Sequence, residues 1–531
     1  MLAEDYYFKT LSNEDLWKRY CGFLELSASE FLAIQRTLLE EELRLAADSP
    51  LGRKILGKRP PRTVEEFRAT APFTTYQDYE PYLSEKREEA LAVKPHTWCH
   101  SAGRSGKFKW VPHSKEHMDK VARNCIASVI LSSAYHRGEI RLASGLKILT
   151  MLPPAPYTTG SLFGHLGECF TFKQVPSPES VEGLPFGEQM ARAFEEALRD
   201  GFDIAGAIAS ILVRMGQQMS SQAGRSHEIS AKLLHPKVLL RLLRGWIKSR
   251  AQHRPVYPKD LWNPKGIIAG GLDMSIYRKE IEKYWGVPPF DIYASTEAII
   301  LGMQSWNKRN ITFLPDSAFL EFLPYTPHED RTSSGNTVLI DQLEESHLYE
   351  VILTQFHGMP LMRYRQGDVV RVTGIGEAES SIVLPQIEVK RKVGEEINLA
   401  SMCSLDERTI WRAIADSGLK YADWTAFKEY DSNTAFLRLI IELKEPMPAA
   451  EVSNRIDLAL RKIDPDYNDI DRYFSTNPVR TTLIAEGSFA RYSMAKVREG
   501  ASLAWLKPKH IEPARESLNQ LLDMGGVKEA E

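Results

Sequence analysis

FDIYASTE, residues Phe290 to Glu297, reads as a strand that runs into a loop. In open α/β sheets ligands gather at the carboxyl ends of strands. The hydroxyls of Ser295 and Thr296 suit phosphate oxygens, and the Glu297 carboxylate suits Mg²⁺, a hard cation that prefers oxygen. The same residues would serve equally as an ordinary capped turn. Immediately upstream, Met274 to Trp285 has helical spacing, with Tyr277, Ile281, Tyr284 and Trp285 on one face that is best read as core. Before it, IIAGG (Ile267–Gly271) reads as a strand and turn.

Working outward, strand, loop and helix alternate on the N-terminal side. A helix is expected from His117 to Tyr135 and a strand from Leu146 to Leu152, while Phe202 to Ser249 reads as mostly helical. Asn13 to about Ala47 has the apolar spacing of a helical cap. On the C-terminal side the pattern changes to consecutive β runs between Ser317 and Thr373, which predicts a small β subdomain. From Asn398 the pattern is mixed again: helices at Leu405–Asp416 and Ala449–Ile463, strands at Trp424–Lys428 and Ala435–Leu443. The fold class expected is α/β. A large N-terminal lobe (1–393) holds mixed or parallel sheets, helices and the β subdomain, and a smaller, mobile α+β domain (394–531) follows, joined at KRKVGEE (Lys390–Glu396).

Composition narrows the function. The chain has 531 residues, 43% hydrophobic and 26% charged, enough for a substantial core. Its 67 Lys+Arg against 70 Asp+Glu leave a net charge of −3, with no long-range field to gather nucleic acid or an anionic bilayer. The five cysteines, Cys21, Cys99, Cys125, Cys169 and Cys403, lack any Cys-x-x-Cys spacing. No HExxH motif or Cys/His cluster points to zinc, and no Ser-His-Asp triad can be assigned. With no apolar leader or spanning run, the expectation is a cytoplasmic protein that binds neither nucleic acid nor membrane and has no obligate protein partner.

Two further segments carry chemistry. Ser101-Ala102-Gly103-Arg104-Ser105-Gly106-Lys107-Phe108-Lys109 combines two glycines, hydroxyl donors and three cations, the equipment for a polyphosphate. It is not a Walker loop, because only two residues separate its glycines. A solvated, glycine-rich hairpin would look the same. Arg363-Tyr364-Arg365-Gln366-Gly367-Asp368 offers a carboxylate for ribose hydroxyls and arginines for phosphate, or else a charged β-turn. His100 and His113 flank the first loop and read as hydrogen-bonded structural residues.

The order of these three segments, with YASTE, SAFLEFLP, LYEVILTQFHGMPLMRYRQGDVVRVTG, GSFA and VREGASLAWLKPK, resembles the adenylate-forming superfamily. Within it the chain resembles the acyl acid amido synthetases of the plant Gretchen Hagen family and their bacterial relatives, from about His100 to His510. The resemblance implies a ligase that uses ATP and Mg²⁺. The loop containing Ser101, Gly103, Arg104, Ser105, Gly106 and Lys109 would hold the β- and γ-phosphates. Thr296 and Glu297 would meet the α-phosphate and Mg²⁺, with Ser295 beside them. Tyr293 and the Gly270-Gly271 turn would flank adenine, Asp368 would take the ribose, and Arg391 would lie near ribose and phosphate. Lys507 matches the mobile lysine of the C-terminal domain, although Lys507 precedes Pro508 directly and Lys509 fits the role as well.

The implied reaction has two steps. A carboxylate attacks ATP to give acyl-adenylate and pyrophosphate; an amine, that of an amino acid, then displaces AMP. Transfer to the thiol of CoA uses the same adenylation residues and stays open, as does a non-catalytic nucleotide-binding role.

Overall fold

The structure, a computed structural model, describes residues 1–101, 109–152, 154–184, 186–222, 235–270, 274–325, 336–377, 380–392, 396–400, 403–431, 434–470, 477–498 and 510–526. Two compact units divide the chain. One is Met1–Ser101 with Lys109–Lys392; the other is drawn from Val393–Glu531.

In the first unit, β1 (Thr97–Ser101) and β2 (Lys109–His113) form a separate antiparallel hairpin in which Ser101 pairs with Lys109. The remaining strands are β3 (Leu146–Met151), β4 (Phe172–Val175), β5 (Ile204–Ile208), β6 (Gly266–Gly270), β7 (Pro289–Ser295), β8 (Ile299–Gln304), β9 (Ile311–Phe313), β10 (Ala318–Pro324), β11 (Leu348–Gln355), β12 (Tyr364–Glu377) and β13 (Ile382–Lys392). They make one eleven-stranded sheet in the order β10-β11-β12-β13-β9-β8-β7-β6-β5-β3-β4. Pairings from β4 to β7 are parallel. Those from β7 to β10 are antiparallel.

The connections explain the change. A parallel pair needs a crossover, which helix Met274–Trp285 supplies between β6 and β7, whereas β7 returns into β8 through a turn at Thr296–Ala298. β7 is thus shared by both halves. The β runs after Ser317 are joined to the parallel half through it, not set apart as a subdomain.

The stretch Phe202–Ser249 differs from expectation too, because it contains β5 in the middle of the parallel half. All five residues of Ile204-Ala205-Gly206-Ala207-Ile208 are buried. A strand covered on both faces is a continuous apolar run, and periodicity alone does not separate that from a buried helix. Helix Lys115–Ser133 packs against β6, β7 and β8 and is buried along most of its length, so it lacks the polar face of a surface helix.

Helix Ala28–Asp48, closed by a capping box at Ser27 and Glu30, lays Leu39 and Leu43 against Phe319 and Phe356. It also buries Glu42, whose Oε2 accepts from Gly358 N at 2.6 Å while Oε1 has no hydrogen-bond partner. Burial pushes this carboxyl from 4.5 up to about 8. The folded state therefore keeps a proton that the unfolded chain releases near 4.5, and the resulting stability is lost as pH rises through 8. Glu42→Gln is expected to flatten the fall in urea midpoint between about pH 4.5 and 8. An equally steep fall in the variant would remove Glu42 as its source.

The second unit has its own core of Trp424, Leu437, Leu439, Ile441, Val452, Ile456 and Leu460. A hairpin, β14 (Glu396–Ala400) and β15 (Cys403–Asp406), precedes a three-stranded sheet of β16 (Tyr421–Asp431), β17 (Thr434–Leu443) and β18 (Val479–Ile484). With helices Glu407–Asp416, Ala449–Ile463, Pro465–Ile470, Ser488–Arg498 and Arg515–Met524 it is an α+β arrangement. No helix among the described residues is long and apolar enough to cross a membrane.

Candidate functional site

The strand end singled out in the sequence lies where the two halves of the sheet meet. β7 stops at Ser295, which pairs with Ile299 across the turn, and Ser295 Oγ accepts from Ala298 N at 3.3 Å. Both inner carbonyls of the turn are held from outside it. His113 Nε2 lies 3.0 Å from the Thr296 carbonyl, and Gln355 Nε2 donates to the Glu297 carbonyl. A carbonyl only accepts, so Nε2 carries the imidazole proton and Nδ1 is bare. Burial pushes His113 down to about 4, which keeps the ring neutral at physiological pH. The structural role expected for His113 is therefore specific: it fixes the turn. With its backbone held in this way, Glu297 presents a half-exposed carboxylate that has no hydrogen-bond or ion-pair partner among the described residues.

Two residues before Ser295 on β7, Tyr293 reaches the other half of the sheet. Its hydroxyl donates to Asp368 Oδ2 at 2.9 Å and accepts from Gln366 Nε2 at 2.7 Å. Burial, then the charge of Asp368, pushes the phenol well up, so it stays a donor. β7 and β12 are four strand spacings apart in the sheet, roughly 19 Å if it were flat. The hydrogen bond therefore requires the antiparallel half to curl back over β7. Gln366 Oε1 is buried beside this pair with no hydrogen-bond partner, an acceptor held ready for a donor from a ligand.

Asp368 does not sit in a free β-turn. Tyr364–Glu377 is a continuous strand, and Gly367, at φ 84°, takes up the register shift that lies opposite Glu350–Ile352. The neighbouring arginines are not available to phosphate either. Arg363 binds Glu321 at 2.9 and 3.0 Å and the Ala71 carbonyl at 2.7 Å. Arg365 binds Glu350 at 3.1 and 2.7 Å. All four side chains are buried or nearly so, and the two pairs fix the strand that carries Gln366 and Asp368.

The structure therefore brings together Gly270 at the end of β6, Tyr293, Ser295, Thr296 and Glu297 at the end of β7, and Asp368 on β12. Ser101 and Lys109 close the β1–β2 hairpin, and Arg391 lies on β13 opposite Val369, next to Asp368. Gly103, Arg104, Ser105, Gly106, Gly271, Lys507 and Lys509 lie outside the described residues. Gln355 and Gln366 were not singled out in the sequence; Gln366 was visible only as part of the Arg-Gly-Asp segment, and no signal marked Gln355.

Two family models match this chain: the GH3 family N-terminal domain over residues 21–165 and the GH3 family central domain over residues 311–391. Over these two segments the chain resembles the GH3 family. The first match spans helix Ala28–Asp48, the β1–β2 hairpin and helix Lys115–Ser133, and the second spans β9 to β13 as far as Arg391. Among GH3 relatives, indole-3-acetic acid-amido synthetase GH3.3 of Arabidopsis thaliana is 24% identical over 259 residues, 45% of this chain and 41% of that protein. The chain thus spans less than half the length of that relative. Putative indole-3-acetic acid-amido synthetase GH3.10 of Oryza sativa subsp. japonica is 23% identical over 465 residues, 78% of this chain and 90% of that one. The acyl acid amido synthetase AtGH3.15, solved in complex with 2,4-DB, shares the fold at 18% identity, with a TM-score of 0.52 over 97% of both chains. 2-Hydroxyisobutyryl-CoA ligase, solved with 2-HIB-AMP and CoA, shares it at 12% identity and a TM-score of 0.56 over 87% of both. The chain thus shares one fold with an acyl acid amido synthetase and with a CoA ligase.

Proposed function

We propose that this protein is an ATP-dependent ligase that activates a carboxylic acid as acyl-AMP and passes the acyl group to an amine, that of an amino acid. The observation that carries the reading is the Tyr293–Asp368 hydrogen bond, which sets a buried carboxylate beside the Thr296–Glu297 turn. A carboxylate accepts hydrogen bonds only, which suits it to ribose hydroxyls as donors. Gln366 Oε1 adds a further acceptor. Adenine would rest between Tyr293 and the Gly270-Gly271 turn, and Arg391 would stand near ribose and phosphate. Thr296 would bind the α-phosphate, and the Ser101–Lys109 loop the β- and γ-phosphates.

Glu297 fits Mg²⁺: it is a single oxygen donor, half-exposed, and such sites are completed by water and phosphate oxygens. When bound, the ion would offset charge building on the phosphates. The chain's own contribution is to hold the carboxylate substrate in line with the α-phosphorus, keep Glu297 fixed through His113 and Gln355, and bring in a lysine. Residues 1–393 would form the adenylation lobe, with 394–531 moving so that the amine can enter for the second step.

Pyrophosphate release with a panel of carboxylates tests the first step, and amino acids against CoA as acceptors test the second. The resemblance to the GH3 family favours the amide; thioester formed in place of amide would establish the other reading. Asp368→Ala is expected to weaken ATP binding by roughly tenfold to several hundredfold, with little change for the carboxylate. Unchanged ATP affinity by calorimetry would remove Asp368 from the nucleotide site.

The chain just past the two candidate lysines is firmly anchored. His510 sets Nδ1 2.6 Å from Glu407 and Nε2 2.9 Å from Asp423, stacks on Trp424, and gives its carbonyl to Ala426 N at 2.7 Å. Lys507→Ala should slow acyl-adenylate formation by about a hundredfold, the scale of one preorganised charge. From pre-formed acyl-adenylate it should make amide at nearly the normal rate. The selective loss appearing in Lys509→Ala instead would reassign the lysine; both half-reactions slowing equally would end the domain-alternation account.

A further inference from the structure

We propose that Asp119, His165 and Cys169 form a binding site for a divalent transition ion of zinc's class, separate from the Thr296–Glu297 turn. His165 and Cys169 are four residues apart on helix Thr158–Cys169 and so share one face. That helix packs against the first turns of helix Lys115–Ser133, which supplies Asp119. The three donor atoms already approach a common point. His165 Nε2 lies 2.8 Å from Asp119 Oδ1 and 3.8 Å from Cys169 Sγ, and Sγ lies 4.0 Å from Oδ1. A tetrahedral ion bonded to N, O and S sets such edges at roughly 3.3 to 3.8 Å, so the main adjustment is to open the N–O edge by about half an ångström.

The surroundings favour a cation at that point. His165 is buried, and its other nitrogen, Nδ1, lies 3.0 Å from Glu168 Oε2. Nε2 meets Asp119 at hydrogen-bond distance while Nδ1, close to Glu168, makes no hydrogen bond; the ring stands between two anions, which favours a cation at Nε2, either a proton or a metal ion. The thiol decides between these two. A soft sulfur beside imidazole and carboxylate is a donor set that selects zinc over magnesium. Glu168, 3.0 Å from Nδ1 though not hydrogen-bonded to it, is near enough to turn and orient a metal-bound histidine. The Lys115 ammonium lies 3.1 and 2.9 Å from the two Asp119 oxygens and would keep Oδ2 when Oδ1 turns to the ion. The other titratable neighbours are His96, whose ring lies edge-on against His165 at 5.0 Å between centroids, and Glu4, whose charge acts on Cys169. Solvent would fill the fourth position.

A cysteine thiol ordinarily keeps its proton at neutral pH, so the free site holds S–H. Metal binding breaks that bond, forms metal–thiolate and releases the proton to solvent. With Asp119 and the thiolate each carrying one negative charge, the bound 2+ ion is balanced within its own ligand set.

The test uses the full chain, dialysed against chelator and then loaded with Co²⁺ as a spectroscopic probe for Zn²⁺. One Co²⁺ per chain should give a thiolate-to-cobalt charge-transfer band in the near ultraviolet. Zn²⁺ should erase the band, with release of about one proton per ion seen in buffers of different ionisation heat. Cys169→Ser should abolish the band, Asp119→Asn should weaken Co²⁺ binding at least tenfold, and Glu297→Gln should leave both intact. A full-length chain that folds, by circular dichroism, but retains neither ion after gel filtration would show that only a proton sits at His165. Retention undiminished in both Cys169→Ser and Asp119→Asn would overturn the proposal equally.

Discussion

Purified Glu297→Gln is expected to release pyrophosphate at less than about one-hundredth of the wild-type rate while keeping its fold. The amide preserves volume but removes the charge that Mg²⁺ requires. The structure makes this a clean experiment. The turn is held by its main chain, through His113 on Thr296 and Gln355 on Glu297, so nothing that fixes the backbone changes with the side chain. Wild-type pyrophosphate release from a variant with an unaltered circular dichroism spectrum would sink the assignment.

The second large effect is on stability. Arg363→Met should lower it by about 3 to 5 kcal/mol, the scale of stranding one member of a buried ion pair. Glu321, 1% exposed, would keep only Arg68 at 3.3 Å and the Thr337 hydroxyl at 2.6 Å, and the Ala71 carbonyl would lose its donor. Adding Glu321→Gln to Arg363→Met should recover much of the loss, because the stranded charge is then gone. Urea denaturation of the two variants decides it. A single variant as stable as wild type would show that this pair does not hold β12.

These residues also show how far the sequence could be read. The end of FDIYASTE was legible because strand-to-loop chemistry is local, and helices Met274–Trp285 and Ala449–Ile463 appear with the bounds their periodicity predicts. β5 was not, since a buried strand of small apolar residues leaves no period-two signature. Arg363 and Arg365 looked like phosphate ligands beside Asp368. Their partners Glu321 and Glu350 come from other strands, and cross-strand pairing is invisible until register is known. The same holds for Asp119, which stands 46 residues before His165. No spacing rule joins them, and the sequence accordingly gave no reason to expect zinc.

The hold on the Thr296–Glu297 turn bears on which ligands it tolerates. An uncapped turn shows ligands its carbonyl oxygens, whose partial negative charge repels phosphate. Here His113 and Gln355 cap two of them from the protein side, leaving a hydroxyl and one carboxylate as the turn's side-chain display. On the proposed function, the turn would then favour a polyanion escorted by a divalent cation over the bare polyanion. Nucleotide and metal should then bind with strong mutual dependence, each raising the other's apparent affinity by the same factor.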